Sequence, residues 1–344
     1  MLKRSNTMPP KAAIFGCSGK TLLPEEKAFF SQHNPLGFIL FSRNIEGKDQ
    51  VKALVKEMKE CVQREDVPIL IDQEGGRVAR LKKPVFRGAP PAGSFAALAE
   101  DFPDIAKEGV YLNARLIAEE LKEIGVTVDC APVADVPVKG AHDIIGDRAY
   151  GDTPERVTFL ARAMSEGLLD GGIVPIMKHI PGHGRARADS HEDLPVVDTS
   201  KEELENWDFT VFRALSDIPW AMTAHILYTA IDKKYPATLS PAMVKLIREE
   251  IGFDGVLVTD DLSMKALKGS FADRTVHALQ AGCDVVLHCN GEMQEMQEIA
   301  AHTTQLTEVA LARLERASQL VQHQKETDIS AFELRLGNIL QQVA

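Results

Sequence analysis

Residues 37–71 of this 344-residue chain have the sequence GFILFSRNIEGKDQVKALVKEMKECVQREDVPILI. Two short apolar runs, at 37–40 and 69–71, enclose a segment at 50–64 whose apolar residues recur at close to helical spacing. The two runs are continuous rather than alternating, which is typical of strands buried on both faces of a parallel sheet. The stretch therefore predicts a strand, a helix and a second strand of a parallel α/β fold.

The same alternation extends along the chain, with further helices predicted at 104–124, 154–170 and 242–251. Strand candidates lie at residues 12–15, 37–40, 69–71, 126–129, 173–176, 220–223, 256–258 and 284–287. Eight strands favour a single (β/α)8 TIM-type barrel. The alternative, a doubly wound sheet, often has a GxGxxG loop after its first strand, and this chain has none. We expect one catalytic domain over residues 1–344, with 293–324 forming one long helix packed on the outside.

Composition narrows the possible partners and the compartment. The net charge of −11 opposes binding to nucleic acid, which needs a basic face. The chain has neither an apolar leader segment nor a run long enough to span a membrane, which predicts a cytoplasmic protein with no membrane partner. Five cysteines without CxxC spacing predict free thiols rather than a disulfide framework.

Charged and imidazole side chains follow the predicted strands at the point where each strand ends. Asp72 follows the third strand, Lys178 and His179 follow the fifth, and Asp260 and Asp261 follow the seventh. Active sites of barrels lie at the carboxyl ends of the strands. These residues therefore predict a pocket for a polar small-molecule substrate.

The individual residues suggest carbohydrate chemistry but leave alternatives open. A carboxylate held as rigidly as Asp260 can attack an anomeric carbon, although it can also cap a helix, a role for which Asp261 is the better candidate. Lys178 and His179 can donate hydrogen bonds to sugar hydroxyls, or they can bind phosphate or a metal. Asp72 can accept hydrogen bonds from a sugar.

Two arginines, Arg80 and Arg148, can donate hydrogen bonds to a sugar or form structural ion pairs. A small, charged loop at 185–193 contains Asp189 and His191, and its composition predicts mobility. A carboxylate two residues from an imidazole can orient it as an acid/base near neutral pH. A solvated loop without chemistry explains the same two residues.

A metal site is an alternative interpretation of the same loop. His179, His183, Asp189 and His191 are candidate ligands, but their spacing is neither HxH nor HExxH. The sequence therefore predicts no metal and no cofactor.

Four blocks together resemble glycoside hydrolase family 3, and within it the bacterial β-N-acetylhexosaminidases of peptidoglycan recycling. The blocks are IDQEGGRVARL at 71–81, GDRAYG at 146–151, KHIPGHGRARADSH at 178–191 and LVTDDLSM at 257–264. They occur in the family's order. Departures from the family pattern are small and include Ile180 and Thr259, where phenylalanine and serine are frequent.

The resemblance implies a function and a role for each matching residue. Asp260 matches the nucleophile, His191 the acid/base and Asp189 its partner carboxylate in a retaining β-N-acetylglucosaminidase. The positions that match those holding the terminal N-acetylglucosamine are Asp72, Arg80, Arg148, Lys178 and His179. The implied substrate is N-acetylglucosamine β-1,4-linked to 1,6-anhydro-N-acetylmuramic acid, with or without its peptide.

Other functions are compatible with the same residues. They are a β-glucosidase or glycoside phosphorylase of the same family, a metal-dependent hydrolase of the amidohydrolase type, and a sugar-binding sensor without catalysis.

Overall fold

The computed structural model describes residues 9–190 and 193–341, and its centre is a closed barrel of parallel strands. The strands are β1 (Lys11–Phe15), β2 (Pro35–Leu40), β3 (Ile69–Ile71), β4 (Val128–Asp129), β5 (Val174–Ile180), β6 (Trp220–Thr223), β7 (Val256–Asp261) and β8 (Val285–His288). Each strand pairs with the next in the chain, and β1 pairs with β8, with Ala13 opposite Val286. The predicted barrel is confirmed, and the doubly wound alternative is wrong because the strands of the described residues close into a ring.

Helices follow each barrel strand and cover its outer face. Their bounds are α1 (Pro24–His33), α2 (Lys48–Val62), α3 (Ala92–Leu98), α4 (Pro103–Glu123), α5 (Pro154–Asp170), α6 (Lys201–Asn206), α7 (Asp208–Ala214), α8 (Pro241–Glu249), α9 (Phe271–Ala281), α10 (Met293–His302), α11 (Glu308–Leu320) and α12 (Ile329–Leu340). The predicted helices at 50–64, 104–124, 154–170 and 242–251 correspond to α2, α4, α5 and α8.

The continuous apolar runs follow from burial on both faces of the barrel. Ile14, Leu70 and Val258 belong to the cluster inside the barrel. Their neighbours Ile71 and Leu257 belong to the larger cluster between strands and helices. Since successive side chains of a strand point to opposite faces, every position must be apolar.

The single helix predicted for residues 293–324 is wrong, because the chain forms α10 and α11 with a break between them. In the break, the carbonyl of Thr304 accepts a hydrogen bond from the Ala12 amide at 2.9 Å, and Pro10 accepts one from the Leu306 amide at 2.9 Å. These bonds to the start of β1 replace helical bonds. Ala310 and Ala317 of α11 then pack against the cluster inside the barrel. This helix covers the members of that cluster that lie at the amino ends of the strands.

Short additional strands shape the loops that follow the barrel strands. Gln73–Gly75 pairs antiparallel with Val78–Ala79, directly after β3. Val196–Val197 pairs in parallel with Leu227–Tyr228 and so ties the loop after β5 to the loop after β6. Within residues 9–190 and 193–341, no helix combines the length and apolar character that a membrane-spanning segment requires.

Candidate active site

A buried ion-pair network lies at the carboxyl end of β3. Lys178 Nζ is 2.8 Å from Asp72 Oδ1 and 2.6 Å from Glu74 Oε1, and its side chain is only 2% exposed. Arg148 forms a bidentate ion pair with Glu74, with both N–O distances at 2.8 Å. Arg80 Nη2 donates to Asp72 Oδ2 at 3.0 Å. The structure thus brings together four of the residues predicted to bind substrate.

The network fixes the charge on its members. Burial alone would raise the pKa of Asp72, but the charges of Lys178 and Arg80 outweigh burial and lower it. Burial alone would lower the pKa of Lys178, but Asp72 and Glu74 outweigh it and raise the pKa. At neutral pH the site therefore presents an ammonium group and carboxylates in fixed positions, which can bind several hydroxyls of one sugar at once.

Phe41, at the end of β2, is an aromatic neighbour of this network. The guanidinium carbon of Arg80 lies 4.9 Å from the centre of its ring. A guanidinium stacked on an aromatic face loses part of its rotational freedom. The contact helps to orient Arg80 toward Asp72.

His179, after Lys178 on β5, is oriented by the buried carboxylate of Asp135. Asp135 Oδ2 lies 2.7 Å from His179 Nδ1, and Asp135 Oδ1 accepts from the backbone amides of His179 and His183 at 3.1 and 2.6 Å. A carboxylate only accepts hydrogen bonds, so Nδ1 carries the proton. The Nε2 atom of His179 is thereby left to interact with a ligand.

Asp260, at the end of β7, is half-buried, and its Oδ1 accepts the amide of Asp261 at 2.8 Å. Burial lowers the pKa of His183 and of His225, and the Asp260 carboxylate acts in the opposite direction on both. Its charge also contributes to the raised pKa of the Cys130 thiol, for which burial is the largest cause. Asp260 therefore lies electrostatically close to the ends of β4, β5 and β6.

Asp261 has a different role from its neighbour. Its Oδ1 accepts from the Ser263 amide at 2.9 Å and from the Cys289 amide at 3.2 Å, and its Oδ2 accepts from Ser263 Oγ at 2.6 Å. It therefore closes the turn after β7. The suggested helix-capping role is wrong, because Ser270 caps α9 by accepting the Asp273 amide at 3.1 Å.

His225, after β6, supports the same turn. Its Nε2 lies 3.0 Å from the backbone oxygen of Asp261, and its Nδ1 lies 2.7 Å from Thr238 Oγ1. A carbonyl only accepts, so Nε2 carries the proton, and in the neutral ring Nδ1 accepts from Thr238. Burial lowers the pKa of His225, which keeps the ring neutral. A chain of hydrogen bonds thus fixes the backbone next to Asp260.

The loop that carries Asp189 is attached at several points to its surroundings. Gly184 O accepts from the Val138 amide at 3.1 Å, and Ala186 O accepts from the His142 amide at 2.8 Å. Ser190 O accepts from the Ala266 amide at 3.2 Å, which joins the loop to the segment after β7. Asp189 is half-buried. His191, the predicted acid/base, lies outside the described residues.

Among the described residues, no group of three or more His, Cys, Asp or Glu side chains has the geometry to hold a metal ion. His179 Nδ1 is already paired with Asp135, and Asp72 is already paired with two cations. The polar side chains here are arranged in pairs of opposite charge, which suits hydroxyl groups better than a cation.

A family model described as the glycosyl hydrolase family 3 N terminal domain matches residues 20–323. The chain belongs to glycosyl hydrolase family 3. A β-hexosaminidase from Methylococcus capsulatus is 40% identical over 282 residues, which cover 80% of this chain and 82% of the relative. A β-hexosaminidase from Nitrosomonas eutropha is 34% identical over 94% of this chain and 96% of its own length. The chain is thus a glycoside hydrolase.

Solved structures of family 3 members have the same architecture. Native NagZ from Neisseria gonorrhoeae superposes with a TM-score of 0.86 at 30% identity, over 98% of this chain and 99% of that one. The same protein is known in complex with N-trifluoroacetyl-D-glucosamine, with a TM-score of 0.86. The resemblance inferred from the four sequence blocks is confirmed at the level of the family.

Three residues of this family 3 site received no role from sequence reasoning: Glu74, Asp135 and His225. Each lay beside a predicted strand end, but nothing in the sequence indicated its partner. A signal existed for Glu74, because Asp72 and Glu74 are two residues apart in extended chain and so point to the same side. The partners of Asp135 and His225 come from segments distant in sequence.

Proposed function

We propose that this family 3 enzyme is a retaining β-N-acetylglucosaminidase that removes terminal N-acetylglucosamine from non-reducing ends. The proposed substrate is N-acetylglucosamine β-1,4-linked to 1,6-anhydro-N-acetylmuramic acid, with or without peptide. The proposed reaction takes place in the cytoplasm during peptidoglycan recycling. The observation that carries the proposal is a half-buried carboxylate, Asp260, held in the same ring of strand ends as the Lys178 network.

The mechanism takes place in two displacements. Asp260 attacks the anomeric carbon, the bond to the leaving oxygen breaks, and His191 gives its proton to that oxygen. A water molecule then attacks the same carbon, His191 takes a proton from the water, and the ester bond to Asp260 breaks. The sugar leaves with its original configuration, and both side chains return to their starting state.

The rigidity around Asp260 supports its role as the nucleophile. One oxygen of Asp260 accepts a hydrogen bond from the Asp261 amide. The adjoining turn is fixed by Ser263 and by the hydrogen bond of His225 to the Asp261 backbone oxygen. A nucleophile held in one orientation avoids the entropic cost of finding the reactive geometry. Asp261 is excluded from the same role because its two oxygens are occupied by the turn.

Sugar binding is proposed for Asp72, Arg80, Arg148, Lys178 and His179. Arg148 is the least direct of these, because its guanidinium is paired on two sides with Glu74. Relatives that carry the name β-hexosaminidase, and the N. gonorrhoeae protein bound to N-trifluoroacetyl-D-glucosamine, support an N-acetylhexosamine as the sugar.

Acid/base catalysis is proposed for His191 with Asp189 as its partner. The usual pair in glycosidases is two carboxylates, so the distance between carboxylates does not indicate the stereochemistry here. The support for His191 is the sequence motif. The support for Asp189 is the motif and the attachment of its loop to the segment after β7.

The first experiment compares wild type with Asp260→Asn on an aryl β-N-acetylglucosaminide, in the presence of chelator, with the aryl β-glucoside as second substrate. We expect release by the wild type alone and from the N-acetyl substrate alone, with a rate loss of at least about 10³-fold in the variant. Equal cleavage of both glycosides would replace the proposal with a β-glucosidase. Binding of N-acetylglucosamine without turnover would leave a sugar sensor, and loss of activity in chelator would restore the metal hypothesis.

A second assay separates hydrolysis from phosphorolysis. The products are compared in phosphate buffer and in buffer without phosphate. We expect free N-acetylglucosamine in both. Formation of the sugar 1-phosphate would mean that phosphate replaces water in the second displacement.

A further inference from the structure

Ser190 is buried within the loop that contains the proposed acid/base pair. It is 3% exposed, whereas Arg187 is exposed and Asp189 is half-buried. Its Oγ lies 3.2 Å from His183 Nε2, and its carbonyl oxygen accepts the Ala266 amide at 3.2 Å. Ser190 is therefore held from two sides, by the segment after β5 and by the segment after β7.

His183 is itself held firmly. Its backbone amide donates to Asp135 Oδ1 at 2.6 Å, and its ring packs edge-on against the His179 ring, with 5.5 Å between the centres. It is 4% exposed, and burial lowers its pKa to about 4, so the ring is neutral at physiological pH. Asp135 thus fixes both the proposed sugar-binding His179 and the imidazole that contacts Ser190.

We propose that His183 and Ser190 are positioning residues, whose hydrogen bond holds the Asp189–Ser190 segment of the loop in place, and that proton transfer by the acid/base pair proposed for this loop depends on that bond. The proposal rests on the proposed function. The Ser190 hydroxyl bonds to His183 and is not a member of the Lys178 network, so removal of this hydroxyl should disturb proton transfer to the leaving oxygen while attack by Asp260 and sugar binding continue.

This separation gives a readout that a merely structural role would not produce. Protonation of the leaving oxygen matters for a phenol and hardly at all for a dinitrophenol, because the dinitrophenolate leaves readily as an anion. The quantity to compare is kcat/KM, which reports on the first displacement, for phenyl and 2,4-dinitrophenyl β-N-acetylglucosaminides.

The central variant is Ser190→Ala, with Ser190→Thr to restore the hydroxyl and His183→Gln to remove the bond from the other side. The matched control is Ser165→Ala, which removes a hydroxyl that is also buried but is bonded within α5 to Ala161 O at 3.0 Å. We expect Ser190→Ala to lower kcat/KM by about 100-fold on the phenyl substrate and by less than about 3-fold on the dinitrophenyl substrate. Ser190→Thr should recover most of the loss, His183→Gln should show the same selectivity, and Ser165→Ala should behave as wild type on both.

Different failures have different meanings. An equal fall in kcat/KM on both substrates, with a lowered Tm, would show that the bond is only a structural contact. An unchanged kcat/KM on both substrates would show that the bond has no positioning role. If Ser190→Ala does not fold, the ratio of the two substrates in His183→Gln decides the question. A wild type that cleaves neither glycoside would overturn the proposed function and this inference together, a result distinct from the two above.

Discussion

Glu74 shows how one buried carboxylate can organise two cations from different segments, Lys178 on β5 and Arg148 in the loop after β4. Lys178 Nζ approaches its Oε1 to 2.6 Å, and Arg148 contacts both of its oxygens. The Glu74 side chain is only 7% exposed, so both interactions take place largely away from water. Removal of one partner from such a pair leaves a buried charge without compensation.

We expect Glu74→Gln to lower the free energy of unfolding by about 3 kcal/mol, because a buried charge pair is broken. KM should rise as well, since Lys178 and Arg148 lose a common anchor. The control is Glu108→Gln, whose pair with Arg335 is 41% and 47% exposed, and which should cost less than about 1 kcal/mol. Urea unfolding and steady-state kinetics measure both; equal costs for the two variants would contradict the importance of burial.

Asp129, at the end of β4, has a less favourable environment. Its Oδ1 accepts the Gln73 amide at 2.9 Å, while Oδ2 has no hydrogen-bond partner among the described residues. Burial raises its pKa from 3.8 to about 7; the Gln73 amide and Lys178 lower it, and Asp72 and Glu74 raise it further. The folded protein therefore binds this proton more tightly than the unfolded chain does, so the stability contributed here falls as pH rises between about 4 and 7.

Asp129→Asn should be more stable relative to wild type at pH 8 than at pH 5. The amide cannot ionise, and its oxygen can still accept the Gln73 amide. A change of one in pKa corresponds to about 1.4 kcal/mol. The difference in free energy of unfolding between the two proteins should therefore grow by more than about 1 kcal/mol from pH 5 to pH 8. Comparing two pH values removes any constant cost of the amide, and parallel stability curves would refute the raised pKa.

At the scale of elements, the segment after β5 is fixed by backbone packing. A Cβ atom at Gly184 would lie 1.9 Å from Val136 O, and the Gly184 carbonyl is already bonded to Val138. The close approach of the two backbones needs glycine here. Gly337 in α12 is the opposite case, since a Cβ there would meet no atom of the described residues within 4 Å apart from its own stretch of helix.

These two glycines predict effects of opposite sign. Gly184→Ala should destabilise the protein by about 3 kcal/mol, at the upper end of overpacking costs, and should lower kcat by displacing the loop with Asp189. Gly337→Ala should stabilise it by about 0.5–1 kcal/mol, because alanine restricts the unfolded chain and favours the helix. Chemical denaturation of both variants tests this; destabilisation by Gly337→Ala would mean that α12 is not a regular helix.

At the scale of the whole molecule, the C-terminal helices belong to the folded barrel by their contacts. α11 packs on the cluster inside the barrel, and α12 lies against α4, where Ile339 is fully buried next to Gly109. Arg115 Nη2 of α4 donates to the carbonyl of Glu326 at 3.2 Å, which ties the segment before α12 to the same helix. That residues 1–344 form one domain remains a prediction.

The variant Ile339→Ala tests whether α12 and the barrel form one domain. If α12 unfolds together with the barrel, the variant should lower the free energy of unfolding of the whole protein by about 2–5 kcal/mol in a single transition. Leu334→Ala on the same helix is the control, since Leu334 is 69% exposed and its loss should change stability by less than about 0.5 kcal/mol. A separate early transition in calorimetry, with the main one unchanged, would show that α12 folds independently.

The sequence by itself determined the barrel, because strands buried on both faces must be continuous apolar runs and each run is visible without its partners. It also identified Asp72, Lys178, His179 and Asp260 as strand-end residues, since the end of an apolar run marks the end of a strand. The family followed from four motifs.

Only the tertiary structure decided which of these side chains meet. The break between α10 and α11 exists because backbone groups at 304–306 form hydrogen bonds with the start of β1. Helical periodicity contains no information about hydrogen bonds to a strand so distant in sequence. The pairing of Glu74 with Arg148, of Asp135 with His179 and His183, and of His225 with the turn after Asp260 joins residues 36 to 74 positions apart. Such contacts depend on how the barrel closes, and local propensity does not specify them.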